Sequence, residues 1–313
     1  MSTAIDRPAG ARLLVPAVRR DPRRFLDPRR WPIHGVTNWL GVVCLALFLL
    51  MATAGQLVGS PDLLDAPGAE PPSAAYWFGT DTLGRDVFAR TASGAWTSLI
   101  ISLGTVVLAL LLAMPLGMLA GYHYNGRADN AIMRALETIQ ALPMFVFVMF
   151  VLTLTGTGLI EIGPFTFGMR TRLIVCLALG FVPFFARIIR AATLVEMQED
   201  YVQMLQVLGI GRFRILLSEI SVNVLPAVMV QACLAMAIAI FAEGGLSFLG
   251  FGVAPPTPTL GNLIADAGSQ ILEGTWWYAT LPGAVMVLGI LGFNLLGDAL
   301  SDALLSGNEG GSE

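Results

Sequence analysis

The sequence predicts an all-α membrane protein with six transmembrane helices and with both termini on the cytoplasmic side. Three observations carry that reading. Of the 313 residues, 55% are hydrophobic and only 13% charged, with a mean hydropathy of +0.72; a water-soluble domain carries about one-quarter charged residues. The apolar residues fall in continuous runs rather than in alternation, which favours helices over a barrel, because each helix satisfies its own backbone in lipid. Finally, the arginines cluster on one side of the bilayer once the runs are counted as spans.

A span needs about 20 apolar residues, at about 1.5 Å rise each, to cross roughly 30 Å of hydrocarbon. Six runs qualify: 36–58, 96–121, 132–155, 173–192, 224–248 and 277–300. About 35 residues precede the first, its apolar core is long, and no small-residue cleavage site stands out, so it is expected to be a retained anchor. With the N-terminus inside, 14 of the 18 basic residues are cytoplasmic; Arg85, Arg90, Arg170 and Arg172 are outside. The expected organisation is an Arg-rich cytoplasmic tail (1–35), a membrane domain (36–305) and a short cytoplasmic tail (306–313). Within the membrane domain lie an outer loop at 59–95, a cytoplasmic loop at 197–223 and a Pro-rich outer loop at 250–276.

The N-terminal tail fits the anionic inner leaflet, so membrane lipid is an expected partner and nucleic acid is not. Pro115, Pro143 and Pro183 lie inside spans two, three and four, where they either kink the helix or are simply tolerated. Cys44, Cys176 and Cys233 each sit alone in an apolar run and read as packing residues. His34 and His123 are isolated, and no ligand cluster suggests a metal.

The cytoplasmic loop is the segment that asks for an explanation. "EDYVQMLQVLGIGRFRILLSEISVNVLP" runs from Glu199 to Pro226. Tyr201, Leu205 and Leu208 recur at helical spacing, and Val202 and Met204 widen the apolar face. Gly209 and Gly211 permit positive φ and end that helix. A second short helix is expected from Arg212, with Pro226 opening span five. The physical reading is a helix–turn–helix with an apolar ridge outside the bilayer. Such a ridge either docks a partner or folds back on its own bundle, and the pattern supports both equally.

Two carboxyl sites stand out. Glu243 is the one acid well inside span five, where a charge costs about 2.5–3.5 kcal/mol on insertion scales. It reads as a pathway group or, preferably, as a hydrogen-bonded structural residue near the outer end. Asp298 and Asp302 share a face near the inner end of span six and read as interfacial or gate-supporting. Arg85 and Asp86 form a structural clip, or meet a partner outside, with structure preferred.

The cytoplasmic loop resembles the "EAA" loop of ABC importer inner-membrane permeases. "YVQMLQVLG" stands where that family has "YVEAARALG"; Gly209 matches, and Ile220, Asn223, Leu225 and Pro226 match the end of the motif. Gln203, Met204 and Leu205 replace the Glu-Ala-Ala itself. "FGTDTLGRDVFARTASGAWTSL" (78–99), "AEGGLSFLGFGVAPPTPTLGNLI" (242–264) and "FNLLGDALSDAL" (293–304) are similar to segments of the dipeptide, oligopeptide and nickel permeases. Trp96 and Ser301 stand where that group has arginine. The similarity covers roughly residues 36 to 305 and is nearest to the C-type partner of a permease pair.

The resemblance implies a type I ABC importer permease architecture in a bacterial inner membrane. It implies a homologous second permease, two ATPase subunits and an extracytoplasmic binding protein as partners. Di- or oligopeptides are the implied substrates, with nickel complexes or another small solute as the alternative. On this reading Tyr201, Gln203, Met204, Leu205, Gly209 and Arg212 dock the ATPase, while Glu243 and Asp298 are pathway or structural groups. The chain carries no Gly-X4-Gly-Lys motif and no catalytic constellation, so it is expected to be a non-catalytic subunit without a cofactor. ATP and Mg would be bound by the partner ATPases. An ion-coupled secondary transporter is the competing class. It predicts several buried ionisable groups and internal repeats, and it gives the long cytoplasmic loop no purpose.

Overall fold

The computed structural model describes residues 36–57, 61–64, 66–156, 160–162, 165–268, 270–271 and 274–309. The N-terminal tail with His34, the turn residues Gly158 and Pro164, and residues 310–313 lie outside the described residues. Chain order is α1 (Val36–Ala54), α2 (Val87–Tyr122), α3 (Arg127–Gln140), α4 (Met144–Thr155), β1 (Ile160–Ile162) and β2 (Phe165–Phe167). It continues with α5 (Met169–Glu196), α6 (Asp200–Val207), α7 (Arg212–Arg214), a π-helical turn (Ile215–Ile220), α8 (Ser221–Phe248), α9 (Leu260–Ala267) and α10 (Trp277–Glu309).

Five helices are long and apolar enough to cross a membrane, and six spans result if α3 and α4 count as one. In the third span, expected at 132–155 with Pro143 either kinking the helix or tolerated, the chain breaks: the two halves meet at 79° around Pro143. Proline cannot donate to the preceding turn, and it disfavours helical geometry in Leu142. Pro115, Pro183 and Pro226 instead sit inside continuous helices. Proline position alone thus does not decide where a membrane helix breaks. A small antiparallel hairpin, β1–β2, is added to the helical frame between α4 and α5. Arg172 of α5 donates to the carbonyls of Thr155 and Gly156 and so ties the end of α4 to α5.

α2 and α5 form the most extensive helix pair. A Cβ on Gly117 would lie 2.6 Å from the Ala186 carbonyl, and one on Gly121 would lie 2.8 Å from the Arg190 carbonyl. These glycines are one turn apart and let the two backbones touch, the small-residue packing that replaces hydrophobic driving force in lipid. Around that contact Ala113, Phe185, Ile189, Val202, Ile220 and Val228 are buried together. A second cluster of Phe48, Ala95, Ile240, Leu260 and Val285 joins α1, α2, α8, α9 and α10. The apolar side chains left exposed on α1 and α2, including Trp39, Leu50, Leu103 and Leu111, form the surface that hydrocarbon covers.

The end of the bundle that carries α9 is built around the 78–99 segment. Asp81 accepts from the backbone amides of Leu83 and Arg85 and pairs with the Arg85 guanidinium at 2.6 Å. Asp86 caps α2 by accepting from the Phe88 amide, so α2 starts nine residues before the apolar run itself. Arg90 is buried and pairs with Asp62. Trp277 donates its indole N–H to the Thr80 carbonyl and fastens this loop to α10. The Arg85–Asp86 region is therefore a clip.

Replacing Gly117 with leucine should force α2 and α5 apart. Overpacking of this kind costs about 1–3 kcal/mol, so the variant should show a lower thermal midpoint in detergent. A midpoint equal to that of the unaltered chain would show that the two backbones have room to spare.

Candidate functional site

The opposite end of the bundle holds the loop between α5 and α8. α6 ends at Gly209, whose φ is +76° and whose amide donates to the Gln206 carbonyl. A turn through Gly211 leads into α7. The second limb does not stand alone, contrary to the expected helix–turn–helix. It runs through the π-helical turn into α8, giving one continuous helical stretch from Arg212 to Phe248. Pro226 is buried within that stretch rather than at its start. π turns are an adjustment often found at functional segments of helices.

The loop presents two apolar faces, one packed on the bundle and one open to solvent. Inward, Val202 is fully buried, and Tyr201, Leu205 and Ile210 pack on the core beside Ile215 and Ile220. Outward, Met204 is 64% exposed, Val207 88%, Leu208 69% and Phe213 74%. Gln203, Gly209 and Arg212 are exposed beside them. Of the expected docking residues, Gln203, Met204, Gly209 and Arg212 thus face solvent, and Tyr201 and Leu205 turn toward the bundle. Val207, Leu208 and Phe213 were absent from the expected set. Helical spacing already puts Leu208 on the apolar face, and Val207 follows Met204 at i+3. Phe213 lies beyond the glycine turn, where periodicity no longer applies.

Tyr201 turns inward because polar partners wait there. Its hydroxyl donates to Glu196 Oε2 at 2.8 Å. Asn223 Nδ2 donates to the same carboxylate oxygen at 3.1 Å and to the Tyr201 oxygen at 2.9 Å. Burial, and then the hydrogen bond to the Glu196 carboxylate, pushes the Tyr201 phenol well above its ordinary range. The hydroxyl therefore keeps its proton at neutral pH. One turn or two back along α5, Arg190 grips Asp129 of α3 with two bonds, Nε to Oδ1 at 2.6 Å and Nη2 to Oδ2 at 2.7 Å. The Arg190 guanidinium also lies 5.0 Å over the Tyr124 ring.

The α3–α4 bend opens a surface groove of about 400 Å³. Gln140, Met144 and Phe147 line one side, Phe181 and Phe184 of α5 the second, and Ile238 of α8 the third. Glu243 lies elsewhere, fully buried, and accepts from Ser247 Oγ at 2.7 Å. Asn262 fixes the neighbouring Pro-rich loop by donating to the Val253 and Thr257 carbonyls, and Thr259 and Asn262 close a capping box on α9. Asp298 is exposed near the α6 end of α10. Among the described residues no group of three His, Cys, Asp or Glu could hold a metal ion, and the three cysteines are free.

Residues 113–307 match the family described as the inner membrane component of binding-protein-dependent transport systems. The chain is 37% identical over 231 residues to a di/tripeptide transport system permease protein of Pseudomonas aeruginosa, covering 74% of this chain and 72% of the relative. It is 35% identical over 267 residues to a dipeptide transport system permease protein of Bacillus subtilis, covering 84% and 80%. It is 32% identical over 290 residues to a nickel transport system permease protein of Escherichia coli, covering 90% and 96%.

Gly209→Val tests the local geometry of the loop. A Cβ there meets open space, but the left-handed φ costs a β-branched residue at least about 1–2 kcal/mol. Hydrogen exchange should accelerate between Leu205 and Arg212, while exchange in α2 and α5 stays as it was. Unchanged exchange in the loop would contradict the assigned turn.

Proposed function

The chain belongs to the family of inner membrane components of binding-protein-dependent transport systems, and from that membership we propose that it forms one half of the path by which an ATP-driven importer moves di- or oligopeptides. The observation that supports this most is the outward ridge of Met204, Val207, Leu208 and Phe213 at the end of the bundle opposite α9. Burying such side chains is worth about 1.5–3 kcal/mol each, enough for a specific contact with an apolar groove on another subunit. Arg212 beside the ridge adds a charge that fixes orientation.

On this reading the α6 end is cytoplasmic and receives the ATPase subunits, and a homologous permease completes the path. The 78–99 clip and the Asn262-bound loop then face the binding protein. ATP and Mg act on the partner subunits. This chain's part is mechanical: the ridge takes up the motion of the ATPase, and the spans attached to the ridge move with it. Gln203 replaces the glutamate of the family loop, so the contact rests on methionine, leucine, valine and phenylalanine more than on charge. Peptides are favoured as substrates because several relatives carry peptide names over most of this chain. The nickel reading rests on the Escherichia coli relative.

Purification from native membranes in mild detergent should recover ATPase subunits and a second permease with this chain. Val207→Asp and Phe213→Asp should keep the second permease and lose the ATPases at least about tenfold, as expected when a charge enters a desolvated hot spot. Gly209→Pro should leave insertion intact and stop peptide uptake. ATPase retention in both aspartate variants would contradict the ridge as the docking surface. Uptake of labelled dipeptide, competed by peptides and not by nickel chelates, would separate the two substrate readings.

A further inference from the structure

The Glu196–Tyr201–Asn223 triad sits between three elements that the sequence keeps apart. Glu196 ends α5, Tyr201 lies in the first turn of α6, and Asn223 lies in the first turn of α8. Three short hydrogen bonds join them, and Glu196 is nearly buried. We propose that this triad is the mechanical linkage of the importer, making α5, α6 and α8 move as one when the ridge is displaced. The proposal rests on the importer reading above and assigns positioning residues within it.

Geometry favours a linkage over an ornament of the fold. Tyr201 of the triad shares the two-turn α6 with Met204 and Val207 of the ridge, so a shift of α6 pulls on Glu196 and Asn223. A single carboxylate oxygen receives both donors, so loss of either partner loosens the grip without leaving the carboxylate bare. The two spans it ties are the two that wall the groove: Phe181 and Phe184 on α5, and Ile238 on α8. Glu196 lies twelve residues from Phe184, about 18 Å along a helix. The third wall hangs from α5 as well, because Arg190 holds Asp129 of α3 by two bonds. Displacement at the ridge thereby reaches every side of the groove through contacts that are short, polar and partly buried. Polar contacts in such surroundings are stronger than in water.

The test uses the whole importer in proteoliposomes, with radiolabelled dipeptide and with ATP hydrolysis measured in the same vesicles. Tyr201→Phe removes one oxygen and keeps the packing, and Asn223→Ala removes the second donor. Each should lower the peptide moved per ATP hydrolysed by about tenfold, within the usual span of coupling effects, while the ATPases co-purify at the level of the unaltered complex. Glu196→Gln retains an acceptor oxygen and should stay near the unaltered ratio, whereas Glu196→Ala should fall with the other two. A merely structural role would lower uptake and hydrolysis together and leave their ratio constant. Should Asn223→Ala fail to assemble, Tyr201→Phe decides alone. A wild-type ratio in Tyr201→Phe would overturn the linkage and leave the importer reading standing. Absence of ATPase from the unaltered complex would overturn both.

Discussion

The contact between Gly117, Gly121 and the α5 backbone sets the position of everything else. In hydrocarbon no hydrophobic force draws helices together, so close approach and dispersion must do it. With no Cβ in the way, α2 lies on the Ala186–Thr193 stretch of α5. That seats Arg190 and Glu196 at a fixed height at the end of the bundle. From those two side chains hang α3, α6 and α8. A membrane protein that meets a soluble partner needs such a platform, because its loops have no core of their own.

The distribution of polar groups follows the same economy. Ion pairs and hydrogen-bonded carboxylates sit at the two ends, as with Asp81–Arg85, Arg90–Asp62 and Asp129–Arg190. Glu243, the exception, is fully enclosed and shares a bond with Ser247. The groove at the α3–α4 bend carries one side-chain amide, that of Gln140, among aromatic and aliphatic walls.

Much of this was legible in the chain. Six apolar runs, each near 20 residues, fall where the helices lie, and the loop with Gly209 stands out because it is polar and helical at once. Four features were hidden. The break at Pro143 looks like Pro115 and Pro183, and only packing tells a hinge from a tolerated proline. α9 begins inside a segment whose prolines read as loop, although Thr259 and Asn262 held the signature of a cap. The inward turn of Tyr201 depends on Glu196 and Asn223, which lie 5 and 22 residues away, so no local period reveals it. The second limb of the loop merges with α8 because Ile215, Leu216 and Ile220 find the core, which a pattern of apolar residues does not locate in space.

The account's central claim is that the face bearing Val207 and Phe213 meets an ATPase. The most direct measurement places a single thiol there. Val207→Cys, in a chain whose Cys44, Cys176 and Cys233 are changed to alanine, would be treated in native membranes with a short thiol-to-amine cross-linker. A product joining this chain to a P-loop ATPase, altered in yield by ATP, is the predicted result. Full transport activity with no such product at Val207 or at Phe213→Cys would contradict the account.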